Sequence, residues 1–183
     1  HAGGVTICAV YPSRDASNPN VCKPGGGGMR VRNNDVNVEF EVRVPKDVAF
    51  EGRTVNGGID ADVEGAAAVS TVNGGIEVEA SSLTEATTVN GSIRASVRAD
   101  RAGKEDIKLS TVNGSVRLSL PDGASADVSA KTVNGGITSD FSEIEVRQKW
   151  GPRSAEGRIG SGGRELDVST VNGSIHITKT GSR

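Results

Sequence analysis

Thr71-Val72-Asn73-Gly74-Gly75-Ile76 returns seventeen residues later as Thr88-Val89-Asn90-Gly91-Ser92-Ile93. The same hexapeptide, Thr-Val-Asn-Gly, then Gly or Ser, then Ile or Val, also begins at Thr54, Thr111, Thr132 and Thr170, which makes six copies. A near-identical segment recurring at about the length of two short strands marks a repeat architecture, in which each copy is one unit stacked on its neighbours. Function is then to be sought on a regular, elongated surface.

From Asn56 the repeated asparagines follow at steps of 17, 17, 23, 21 and 38 residues. The last step suits two units, and Glu156-Gly157-Arg158-Ile159 takes the place of a degenerate copy within it. Upstream, Asn33-Asn34 occupies the same slot, with Val36, Val38 and Phe40 in the apolar phase, and a weaker copy begins near Ala2 with Val5 and Ile7. The count predicted is about eight or nine coils.

Inside each unit the apolar residues alternate with polar ones. Ile59, Ala61 and Val63 enclose Asp60 and Asp62; Ile76, Val78 and Ala80 enclose Glu77 and Glu79; Ile93, Ala95 and Val97 enclose Arg94 and Ser96. Strict period-two alternation is the signal of a half-buried strand. Two architectures satisfy it. Asn-Gly supplies a type I′ hairpin turn, which would give an antiparallel meander; alternatively Asn-Gly forms the corner of a solenoid coil whose like residues stack. The flanking Thr and Val repeat as faithfully as Asn-Gly, which a hairpin turn would not require. The apolar positions are small, and no helical segment is in sight to cover the face of a meander. The predicted fold is an all-β, parallel β-helix-like solenoid, with the meander as the alternative.

The corner residues are then Asn56, Gly57, Asn73, Gly74, Asn90, Gly91, Asn113, Gly114, Asn134, Gly135, Asn172 and Gly173. Stacked asparagines would bond one another along the axis, and both residue types tolerate a left-handed backbone. A single domain over 1–183 is expected, with a cysteine-bracketed insertion at 8–28 and a loop insertion at 142–156.

Aromatic residues make up 3% of the chain and hydrophobic ones 34%, too few large side chains for a globular core but enough for a stacked one. The 21 basic and 23 acidic residues are interspersed along the chain, so no electrostatic footprint for nucleic acid is visible. No apolar run approaches the length of a membrane span or a signal core. Cys8 and Cys22 bracket a loop rich in Pro, Ser, Asn and Asp. A disulfide between them would restrain that loop by about 3 kcal/mol, and it implies an oxidising, extracytoplasmic setting and a chain that begins after processing. The other reading is two free thiols.

The recurring Thr-Val-Asn-Gly units, the segment RIGSGGRELDVSTVNGSIHI from Arg158 to Ile177 and the Val44-Pro45 strand ending resemble the bacterial adhesin-like family of β-strand-repeat domains. The resemblance covers about residues 29 to 180. It implies an exported or surface domain with a right-handed parallel β-helix-like fold, and it brings no catalytic residues.

Candidate chemistry is sparse. Asp60, Asp62, Glu77 and Glu79 are hard oxygen ligands for calcium if stacked, and a solvated strand face otherwise. Serines and threonines are many, but no histidine is placed as their base. The threonine column would suit an ice-binding face, except that its register points inward. The expectation is a protein that is not an enzyme and uses no metal or other cofactor. The ends carry more. Val5 and Ile7 in the first coil and Ile175 and Ile177 in the last would expose unpaired backbone groups and join copies head to tail into a filament. Trp150, flanked by Arg147, Lys149 and Arg153 on the enlarged loop, is a further candidate contact. The expected role is structural or adhesive on the cell surface or in secreted form; a monomeric module binding surface glycan is the alternative.

Overall fold

The structure is a computed structural model, and it describes residues 4–24, 29, 31, 35–98, 105–147 and 151–180. The chain forms two compact units, His1–Arg43 and Val44–Arg183. In the first, Cys8 and Cys22 are joined by a disulfide. Asp15 organises the loop between them: its carboxylate accepts from the Ser17 hydroxyl at 2.5 Å and the Ser17 N–H at 2.9 Å. Those two bonds, the hydroxyl first, hold its pKa below the usual carboxylate value. The described residues of this unit contain no strand, and Val5, Ile7, Val36, Val38 and Phe40 are exposed. The upstream coils read from their apolar phase are therefore absent among the described residues, and Ala2, Asn33 and Asn34 lie outside them. Alternation alone does not make a coil where the Thr-Val-Asn-Gly corner is missing.

The second unit is all β: β1 (Phe50–Arg53), β2 (Ile59–Ser70), β3 (Ile76–Thr87), β4 (Ile93–Val97), β5 (Ile107–Asn113), β6 (Val116–Leu120), β7 (Ala126–Asn134), β8 (Ile137–Ser139), β9 (Ile144–Arg147), β10 (Arg153–Ile159), β11 (Glu165–Asn172) and β12 (Ile175–Lys179). Strands after each corner form one ladder, in which Ile59, Ile76, Ile93, Val116, Ile175 and Ile137 are successive partners. Strands before each corner form a second, running Gly52, Val69, Ala86, Leu109, Val168 and Ala130. All these pairings are parallel and in register, so the solenoid arrangement holds and the chain coils through both ladders. The inward residues of both ladders form one core. Leu109, Leu118, Leu120, Leu166, Ile175 and Ile177 are fully buried there, each worth about 1.5–3 kcal/mol of apolar transfer.

The corner explains why a whole hexapeptide repeats. Each buried threonine donates its hydroxyl to a glycine carbonyl of the adjacent coil: Thr71 to Gly57, Thr88 to Gly74, Thr111 to Gly91, Thr170 to Gly114 and Thr132 to Gly173, at 2.8–3.0 Å. The asparagines form a side-chain ladder, each amide donating to the side-chain carbonyl of the next at 2.8–2.9 Å, from Asn134 through Asn172, Asn113, Asn90 and Asn73 to Asn56, which accepts. The predicted stacking of asparagines is thus seen, but the backbone reason differs. Among described residues only Asp47 is a non-glycine with positive φ, so the corner asparagines are not left-handed. Glycine follows them because the coils touch there: a Cβ on Gly74, Gly91, Gly114, Gly173 or Gly135 would lie 1.8–2.1 Å from a carbonyl oxygen of the neighbouring coil.

Two features depart from a simple stack. Six corners are stacked among the described residues, fewer than the eight or nine coils expected. And the order in space is not the order in sequence: β11 lies between β5 and β7, and β12 between β6 and β8. The last repeat is inserted between the fourth and fifth. The insertion at 142–156 supplies the means, because it folds into strands β9 and β10. β10 pairs antiparallel with β7 on one side and with β9 on the other. Glu156-Gly157-Arg158-Ile159 is accordingly part of an antiparallel strand and not a degenerate corner. Gly157 is needed there because a Cβ would meet the Glu143 carbonyl at 2.3 Å. From Ile159 the chain passes over the start of β7 through Gly160-Ser161-Gly162-Gly163 and enters β11. Gly160, Gly162 and Gly163 have φ of 56°, 70° and 116°, a backbone only glycine adopts freely.

Candidate functional surface

The outward residues of the first ladder are segregated by charge. On β2 and the first half of β3 they are Asp60, Asp62, Glu77 and Glu79; on β4, β6 and β12 they are Arg94, Ser96, Arg117, Ser119, His176 and Thr178, and those three strands contain no acidic residue. Charges interspersed along the chain are therefore sorted by the coiling. Glu77, Arg94, Arg117, His176 and Thr138 are successive partners across the ladder, spaced by the strand separation of about 4.8 Å.

At the seam between the two zones the carboxylates are held by arginines. Arg94 reaches Glu77 at 3.3 Å, and Arg98 bridges Asp62 at 2.5 Å and Glu79 at 2.6 Å. Glu79 and then Asp62 raise the already high pKa of Arg98. Three of the four carboxylates offered for calcium thus face guanidinium groups. Within the basic zone, His176 Nδ1 lies 2.8 Å from the Thr138 hydroxyl. Among the described residues no carboxylate comes within ion-pair distance of Arg117. A shallow trough of about 620 Å³ runs along this ladder beside the corners, and Asp60, Glu77, Ser92, Arg94, Ser115, Arg117 and His176 are among the residues that line it.

The predicted contact residues fare differently. Ile175 and Ile177 are 0% exposed, because β12 is paired on both sides; the last coil in sequence is interior in space and offers no open end. Val5 and Ile7 are exposed but belong to no strand. Trp150 and Lys149 lie outside the described residues. Arg147 and Arg153 are strand residues and not loop residues: Arg147 pairs with Glu156 at 3.7 Å, and Arg153 donates to the Gly135 carbonyl at 2.6 Å. Among the described residues the edge at the far end of the second ladder is β9, with Val146 exposed. Five of the six threonines of the column, all but Thr54, are buried, as the register implied, and their hydroxyls are engaged with glycine carbonyls, so the column presents no face to ice.

Sequence reading missed a clasp on the crossover. Asp127 receives Arg158 Nε at 2.6 Å and the Gly163 N–H at 3.0 Å, and its own N–H donates to the Arg164 carbonyl. The Gly163 N–H first, then Arg158, hold the Asp127 pKa below the usual carboxylate range. The signal available was Gly-Ser-Gly-Gly itself, whose glycines no turn in a simple stack requires.

Corner ladders of Thr, Asn and Gly around a narrow aliphatic core define a β-solenoid repeat module. The family model described as Toastrack DUF4097 matches residues 57–178, which is most of the stack, and the chain belongs to that family. No curated protein and no solved structure matches it.

Proposed function

We propose that this domain is a non-enzymatic structural or adhesive module acting outside the cytoplasm, on the cell surface or in secreted form, and that copies associate through the end of the stack into a filament. The observation that carries the reading is the corner ladder. The residues that repeat are engaged in holding coil to coil, threonine to glycine and asparagine to asparagine, which makes a rigid scaffold and leaves the outward positions free to vary. The Cys8–Cys22 disulfide supports an oxidising location. Edge strand β9 supports assembly, since unpaired N–H and C=O groups recruit a further strand. Size-exclusion chromatography with electron microscopy tests it: association and fibres should grow with concentration and be suppressed by Val146→Lys, a charge on the edge. A protein that stays monomeric at high concentration would remove the filament.

The segregated charges of the first ladder favour a second reading, a monomeric module that binds a surface glycan. Retention on glycans without polymerisation distinguishes it.

A further inference from the structure

We infer that the trough over β4, β6 and β12 is a binding strip for an acidic polysaccharide, centred on Ser115 and Arg117 and flanked by Ser92 and Arg94 on one side and by His176, with Ser174 two residues before it, on the other. The observation is a correlation within the repeats. The residue after Asn-Gly is serine in the three coils whose outward residue two positions later is Arg94, Arg117 or His176; it is glycine (Gly58, Gly75, Gly136) where that residue is Asp60, Glu77 or Thr138. A Cβ on Gly75 or Gly136 would meet nothing closer than 3.5 Å, so sterics alone do not impose the choice.

The serines are poised to donate. Ser92 Oγ accepts the Ser115 N–H, Ser115 Oγ accepts the Ser174 N–H, and Ser174 Oγ accepts the Gly136 N–H, each at 3.2 Å. A hydroxyl that accepts through its oxygen keeps its hydrogen for another acceptor. Each such group stands beside a guanidinium or imidazole, and the three pairs are in register at about 4.8 Å. At Arg117 hydroxyl and guanidinium together fit a carboxylate, which an arginine fork holds with two parallel bonds; Arg94 is shared with Glu77. Along the trough the ligand is a linear chain bearing acid groups at the repeat of one sugar residue. No aromatic residue lines the trough, so neither the stacking that holds single-stranded nucleic acid nor a platform for a neutral sugar is present. The acidic zone of Asp60 and Glu77 marks where the chain leaves the strip.

The inference deepens the surface-binding reading and rests on it for the choice of a polysaccharide. The test is calorimetric titration of the full chain with an oligogalacturonate, its methyl ester and polyphosphate at low ionic strength. The acid form should bind and the ester should not. Arg117→Glu should weaken binding at least about tenfold, as loss of a charge-assisted hydrogen bond implies; Ser115→Ala should weaken it several-fold; Asp60→Asn should leave it equal or tighter. All three side chains line the trough, and a thermal melt verifies that the variants fold. No binding of the acid form, equal binding of its ester, an unchanged Arg117→Glu protein, or capture of polyphosphate in preference to the uronate would each overturn the strip. If fibres form in parent and Arg117→Glu alike while neither binds uronate, the strip falls and the structural module stands.

Discussion

The coils carrying Asn56, Asn73, Asn90 and Asn113 follow one another in space as along the chain, whereas those of Asn134 and Asn172 are exchanged. Both regions use the same corner bonds at the same distances. The hexapeptide therefore encodes register and contact but not order, because identical ladders accept any copy as a neighbour. Order comes from the connections. In the first region the bend at Gly65 lies inside β2, where a Cβ would meet the Val48 carbonyl at 2.4 Å. In the second, Pro121–Ser125 leads from β6 to β7, two coils along the stack, and the last repeat, reached through β9, β10 and the glycine crossover, occupies the slot between them.

The largest effect should come from closing that slot. Gly173→Ala places a Cβ 1.9 Å from the Gly114 carbonyl, against backbone held by ladders on both sides. A loss of about 4 kcal/mol or more is expected from a backbone displaced in a packed stack, read as a shift in denaturant midpoint. Gly136→Ala, one position further round a corner, meets nothing closer than 3.7 Å and should change stability by no more than about 0.5 kcal/mol. Next in size is Thr111→Val, which keeps the shape but strips the hydroxyl from the Gly91 carbonyl, leaving a part-buried acceptor unmet at about 2 kcal/mol. Thr170→Val in the inserted coil should cost the same within error. A smaller cost there would mean that the inserted coil is held less by its corner than by its neighbours' side chains.

The parallel stack was legible because its signals are local and repeated. Period-two alternation fixed the inward residues, and the invariance of Thr and Val beside Asn-Gly favoured a coil over a hairpin. The coil order was not legible. In sequence, β11 and β12 read as the last copy in line, beyond β8 and the copy at Glu156–Ile159, and nothing in Thr170–Ile175 distinguishes an interior coil from a terminal one. That is why Ile175 and Ile177 read as an open end. The antiparallel β9–β10 pair, mistaken in part for a degenerate coil, depends on which strand lies beside β7, a non-local pairing. Outward charge was legible position by position but not as zones, because Arg94, Arg117 and His176 meet only when the fourth repeat and the last become neighbours.

Smaller effects separate the interior of a ladder from its end. Asn113→Ala removes the bond it donates to Asn90 and the one it accepts from Asn172, whereas Asn56→Ala removes only the one from Asn73. About 1 kcal/mol per bond is expected at most, because the ladder is solvent-facing, and the interior variant should lose about twice as much in the same denaturant titration.

The weakest expected signal is the clasp of the crossover, and its pH dependence identifies it. Asp127 has a folded pKa below its unfolded one, so its contribution is present above the unfolded carboxylate value, near 4, and fades as pH falls through the folded value. The midpoint difference between parent and Asp127→Asn should therefore be constant at neutral pH and shrink on acidification below about 4. A difference that persists unchanged into strong acid would mean that the carboxylate's charge is immaterial, and that the three glycines and the β10–β7 pairing alone turn the chain back into the slot.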